Sequence, residues 1–198
     1  MTSPHAEPSP DDHPAEAPEA PAANEPPGAA RPLDADTIEA RVLAAVDAHA
    51  PDHERLWIDP AHAATEDFCA IYDEPPEESG NCILVASRTE PRRHVACIVQ
   101  ATRQLDVNKT VRKWMGVRKA SFAPPEETTA LTGMLPDGVT PFALPEGIPL
   151  LIDAPILDLP RVVVGGGSRR LKLAVAPSDL AALPAAHVIE GLSRPMPA

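Results

Sequence analysis

The sequence predicts a mixed α/β domain, and three observations predict it. Apolar residues recur at helical spacing just after residue 36, two short apolar runs flank a polar turn in the middle, and the last third alternates turn residues with short apolar runs. One domain is expected over residues 37–195, preceded by a tail over residues 1–36. That tail holds nine of the 26 prolines and eight acids against one Arg, with no aromatic side chain. It cannot bury enough apolar surface to offset its ordering entropy, so disorder is expected there.

Each element has its own signal. Asp34 and Asp36 before Thr37 offer capping oxygens, and Ile38, Val42, Leu43 and Val46 then repeat at helical spacing, which predicts a helix to about Ala48. After a turn at Pro51-Asp52, Arg55-Leu-Trp57-Ile58 reads as a short strand ended by Asp59-Pro60. Ala64 to Tyr72 predicts a second helix with Phe68 and Ile71 on one face. The strongest strand signals are Cys82–Ala86 and Val95–Val99, and the polar stretch Ser87–His94 makes them a hairpin with a basic tip. Asp106 caps a helix carrying Val111, Trp114 and Met115 that Gly116 terminates, and Pro124-Pro-Glu-Glu127 opens another. Strands are then expected at Leu150–Ile152, Arg161–Val164, Leu171–Val175 and His187–Ile189, with a helix from Pro177 to about Leu183.

Charge is distributed unevenly. The chain carries a net −12, with −7 in residues 1–36 and −8 in residues 37–77, whereas residues 78–175 hold thirteen Lys or Arg against nine Asp or Glu, a net +4. A nucleic-acid surface, if present, belongs to that middle segment. On spacing alone, Arg88, Arg92, Arg93, Arg112, Lys113, Arg118 and Lys119 read as solvated charges on a hairpin tip and helix faces.

Several classes are set aside. The tail lacks the basic start and apolar stretch of a secretory signal, and no later segment has the length to span a bilayer, which predicts a cytoplasmic protein with no membrane partner. Cys69, Cys82 and Cys97 are odd in number and lack close Cys–Cys or Cys–His spacing, so they are expected to be buried thiols rather than a disulfide framework or zinc site. None of the seven histidines has a partner spacing for a metal or a charge relay. No repeat period appears, and Gly165-Gly-Gly167 alone is too weak to mark a nucleotide site.

From Asn81 onward the chain resembles the YbaK/EbsC family of aminoacyl-tRNA deacylases, which includes prolyl-tRNA editing domains. The likeness rests on ordered blocks: Asn81-Cys-Ile-Leu-Val85, Arg103–Asn108, Lys119–Ala123, Leu131-Thr-Gly-Met134, Gly138-Val-Thr-Pro-Phe142, Leu150-Leu-Ile-Asp153 and Gly165–Leu173. The resemblance implies a curved mixed sheet flanked by helices and a pocket for an aminoacyl group. It also implies trans-acting hydrolysis of a mischarged tRNA ester, with the tRNA acceptor end as partner and neither metal nor organic cofactor.

Carried over position by position, the resemblance implies a catalytic set of Asn81, Gly138, Thr140 and Pro141. It implies a substrate-binding set of Gly133, Asp153, Gly165, Gly166, Gly167 and Lys172. Asn81 stands where many family members carry a catalytic lysine, and an amide there can donate to a carbonyl oxygen without bringing charge. Read without the family, Asn81 is a turn residue after Gly80, Gly138 to Pro141 a plain turn, Asp153 a cap, and Lys172 the outward residue of a half-exposed strand. Arg169, Arg170 and Lys172 beside the glycines are candidates to meet the acceptor end. The alternative function is a catalytically weak or inactive binding module that recognises an aminoacyl-like ligand or a protein.

Overall fold

Asp34 sets the first helix: its carboxylate accepts from the Thr37 N–H at 3.0 Å and the Thr37 hydroxyl at 2.8 Å. Helix α1 runs Ala35–His49 and buries Ile38, Val42 and Val46. It therefore starts two residues inside the segment read as tail. The structure is a computed structural model that describes residues 34–196. The disorder expected over residues 1–33 lies outside the described residues.

Two sheets carry the rest. The first has the order β1 (Glu54–Trp57), β8 (Leu171–Val175), β7 (Val162–Gly165), all antiparallel. The second is mixed, with the order β5 (Ala120–Phe122), β2 (Gly80–Ser87), β3 (His94–Gln100), β6 (Leu150–Asp153), β9 (Ala186–Ile189); β2 pairs antiparallel with β3 and β5, while β6 runs parallel to β3 and β9. A two-strand ladder joins β4 (Arg103–Leu105) to β10 (Ser193–Pro195). One parallel bridge, Ser79 to Val163, ties the two larger sheets together at the entrance to β2.

Helices cover the sheets. α2 (Thr65–Tyr72) places Phe68 in a small core with Ile58, Val163 and Ala174. The segment capped by Asp106 starts as one π-helical turn, Val107–Val111, before a short α3 (Arg112–Trp114), and it buries Val111 and Met115 under the hairpin face. α4 (Pro125–Thr132) and α5 (Pro177–Ala181) both open on proline, as their sequences predict. The main core gathers α1, β2, β3, β6, β7 and β8 around Ile98, Phe142, Ile152 and Leu173.

Three readings change. Ile71 is 59 % exposed, because the α2 face that packs is the one carrying Phe68. β4, β5 and β10 carry no strand signal in the sequence, each being three residues long. Lys172 is buried rather than half-exposed, since β8 is the central strand of its sheet. Among the cysteines, Cys97 is buried and Cys69 and Cys82 are partly so, all free thiols. No described helix is long and apolar enough to cross a membrane.

Candidate active site

The bridge between the two sheets leaves a gap beside it. There the first residues of β2, the end of β7, Lys172 of β8 and the loop 137–139 enclose a cavity of about 310 Å³, with Thr65 and Phe68 of α2 along one side. Asn81, Asp137, Val139, Gly165 and Lys172, distant in sequence, all line it.

Glycines build the wall. The carbonyl of Gly138 accepts from the Gly167 N–H at 2.7 Å, and the Gly167 carbonyl accepts from Leu135 at 2.9 Å, so the 135–139 loop is laid directly on the glycine triplet. A Cβ on Gly165 would stand 2.4 Å from both the Gly138 and Val139 carbonyl oxygens, and one on Gly138 would stand 2.3 Å from the Ser168 carbonyl oxygen. Only glycine permits that approach. Gly166 backs onto Leu171 and Gly167, at φ +88°, onto Ile38 and Val42, so these two support the wall from behind. The Gly138 N–H closes its own turn on Leu135 at 3.0 Å, whereas Val139 N–H has no acceptor among the described residues.

Polar groups converge on the space. The Thr65 hydroxyl donates to the Asn81 side-chain oxygen at 2.7 Å, which turns the amide NH2 of Asn81 into its available donor. Lys172 Nζ donates to the carbonyl oxygens of Ala63 at 2.8 Å and Asp137 at 3.1 Å and sits 5.4 Å from the centre of the Phe68 ring. Burial pulls its ammonium down to about 8, an effect that Asp137 opposes and Arg169 reinforces. Cys82 also lines the cavity, but burial pushes its thiol up to about 12, so no thiolate is available there.

The remaining expected residues lie elsewhere. Thr140 is fully buried and its N–H faces the Met134 sulfur at 3.5 Å. Pro141 borders a separate cavity of about 250 Å³ near Leu144 and Leu183. Gly133 is the left-handed C-cap of α4, at φ 67°. Asp153 is buried and accepts from the Ser193 hydroxyl and, at 3.2 Å, from its N–H, with Arg103 Nε at 3.4 Å. Arg169 pairs with Asp137, and Arg170 with Glu39 and Asp36. Both arginines are thereby committed to holding α1 and the loop in place.

Thr65, Phe68, Cys82, Asp137 and Val139 join the cavity without having been singled out as site residues. Thr65 carried no local signal, since its partner lies sixteen residues away. A second, larger cavity of about 710 Å³ shares Thr65 and Asn81 and has Glu66, Asp73 and Glu74 along it. The hydrogen-bonded Thr65–Asn81 pair borders both cavities.

Comparison with known proteins identifies the family and the fold. The family described as aminoacyl-tRNA editing domain matches residues 59–183, more than half of the chain. Among solved structures, one described as "a putative trans-editing enzyme for prolyl tRNA synthetase" superposes with a TM-score of 0.67 at 21 % identity, over 80 % of this chain and 97 % of the other. The hypothetical protein APE2540 gives 0.70 at 23 %, over 78 % and 99 %. At these identities the likeness establishes the fold.

Proposed function

The chain belongs to the aminoacyl-tRNA editing domain family, and from that premise we propose that it is a deacylase that hydrolyses the ester between a mismatched amino acid and its tRNA. The observation that carries this reading is the convergence of Asn81, the 137–139 loop, Gly165 and Lys172 on one cavity of about 310 Å³. Ester hydrolysis needs a water, donors for the oxygen that becomes negative, and walls that measure the acyl group. The Asn81 amide and the Val139 N–H are donors of that kind. Each such donor contributes on the order of 10²–10³-fold in rate.

A basic surface lies at the far end of β2 from Asn81, where tRNA beyond the esterified end would rest. Pairing of Ser87 with Ala120, the Arg88 N–H on the Lys119 carbonyl at 2.9 Å, and Arg93 Nη1 toward the Met115 carbonyl at 3.4 Å bring the hairpin tip and the 112–119 segment together. Arg88, Lys113, Arg118 and Lys119 are exposed there, and none forms an ion pair among the described residues. Phosphates would meet unpaired cations at that end.

The uncharged Asn81 and the acids Glu66, Asp73 and Glu74 beside the second cavity favour a second reading, a binding module for an aminoacyl-like ligand. Incubation of the purified protein with a panel of mischarged tRNAs decides between them. Release of amino acid above the spontaneous rate from at least one member is the expected result. Binding without release on every member would establish the module and exclude the enzyme.

A further inference from the structure

Among the described residues Lys172 is the one cation that lines the cavity, and it is 6 % exposed. Its neighbours along β8, Leu171 and Leu173, are fully buried. An ammonium in such a place destabilises the fold unless its hydrogens find acceptors. Two of them do, on the carbonyls of Ala63 and Asp137. No carboxylate among the described residues takes the third, and the Asp137 side chain is turned to Arg169. An ammonium has three donors, so one N–H is left without an oxygen acceptor among the described residues, with the Phe68 ring centre 5.4 Å away and the Thr65 hydroxyl and Asn81 oxygen already engaging each other. A strap between two backbone carbonyls needs two hydrogens and no opening to solvent. The third hydrogen and the opening are what a ligand can use.

We propose that Lys172 is a catalytic residue whose free N–H meets the carbonyl oxygen of the bound aminoacyl ester and whose charge stabilises the oxyanion formed there. This rests on the deacylase reading and adds to it the group that supplies the charge, which enters from β8 instead of from position 81 on β2. The oxygen of water adds to the carbonyl carbon, and the carbonyl electron pair moves onto the oxygen facing Lys172. As the oxyanion collapses, the bond from the acyl carbon to the ribose oxygen breaks. The ribose oxygen takes one proton of the water, the other passes to solvent, and the amino acid leaves as a carboxylate. Lys172 keeps its protons throughout, so the charged form is the working form. Because burial brings it to about 8, activity above the uncatalysed rate falls as pH rises through that value. The other titratable groups that face it are Asp137, Arg169, Cys69 of α2 and Cys82 of β2. Cys82 stays a thiol in this range, and a Cys69→Ala variant isolates the remaining one.

The test compares wild type, Lys172→Met, Lys172→Arg and Cys69→Ala on the mischarged tRNA that the wild type cleaves fastest, with thermal melting to establish folding. Lys172→Met is expected to lose about 10²-fold or more in kcat with KM little changed. Lys172→Arg should recover part of that loss, and the fall in rate near pH 8 should persist in Cys69→Ala. A folded Lys172→Met with wild-type kcat and pH profile would overturn this role and leave the deacylase reading standing. Should Lys172→Met not fold, a wild-type profile without a fall near pH 8 overturns it instead. A wild type that cleaves no charged tRNA overturns both.

Discussion

Lys172 is held at a cost, and that cost has a pH signature. Its folded value of about 8 lies below the ordinary 10.5, which amounts to roughly 3 kcal/mol against the folded state when the group is charged in both states. The cost is fully present below pH 8, shrinks between 8 and 10.5 as the folded lysine gives up its proton first, and is gone above. Urea unfolding should therefore show the wild type gaining stability relative to Lys172→Met as pH rises across that window. Glu127 works in the opposite sense. Hydrogen bonds from Arg92, at 2.8 and 2.6 Å, and His94, at 2.6 Å, hold its carboxylate down at about 2. Its contribution is present above the ordinary 4.5 and is lost as pH falls toward 2. Glu127→Gln should destabilise the protein at pH 7 by about 1–3 kcal/mol and flatten the acid limb of the stability curve, because it removes the negative charge and replaces one of the two acceptor oxygens shared by the buried His94 and the partly buried Arg92 with an NH2 donor.

Elements were legible in proportion to their length and apolar content. The β2–β3 hairpin announced itself by two continuous apolar runs around a polar turn, and α1, α4 and α5 by their capping Asp or Pro residues. β4, β5 and β10 did not, because three residues give no period to read and their pairing is decided by distant partners. The alternation Leu171-Lys-Leu173 was a fair sign of a strand but silent about its position in the sheet. Only the pairing of β8 with both β1 and β7 buries Lys172. The site followed the same division. Its glycines were visible in sequence, while the pairing of Thr65 with Asn81 and of Lys172 with the 137 loop depended on the tertiary fold. Gly165→Ala tests the wall directly: its Cβ would strike two carbonyl oxygens of the 138–139 loop. The expected result is a stability loss of about 1–3 kcal/mol, with a larger proportional loss of deacylation. Gly191→Ala, where no atom lies within 4 Å of the added Cβ but the backbone sits at φ +66°, should lose about 1 kcal/mol of stability through the backbone alone and leave deacylation by the folded protein unchanged.

At the scale of the molecule, charge is sorted by place. The net −12 conceals a basic end, formed by the hairpin tip and the 112–119 segment, and acids that gather along the second cavity at Glu66, Asp73 and Glu74. The +4 of residues 78–175 was readable from the sequence; the meeting of its two basic segments was not, since it depends on β5 pairing with β2. An Arg88→Glu, Lys119→Glu variant should weaken tRNA binding at low salt and reduce the slope of log K against log salt by roughly one to two, in line with the phosphate contacts removed. It should leave the hydrolysis of a short aminoacyl-ester substrate unaffected. The central claim is that one cavity between the two sheets receives the aminoacyl end. Amide chemical shifts measured on titration with a 3′-aminoacylamino-3′-deoxyadenosine, which keeps the carbonyl but resists hydrolysis, test it most directly. The account predicts that Asn81, Val139, Gly165 and Lys172 shift together and saturate with one affinity. Saturable shifts confined to other surfaces, with these four residues unmoved, would contradict it.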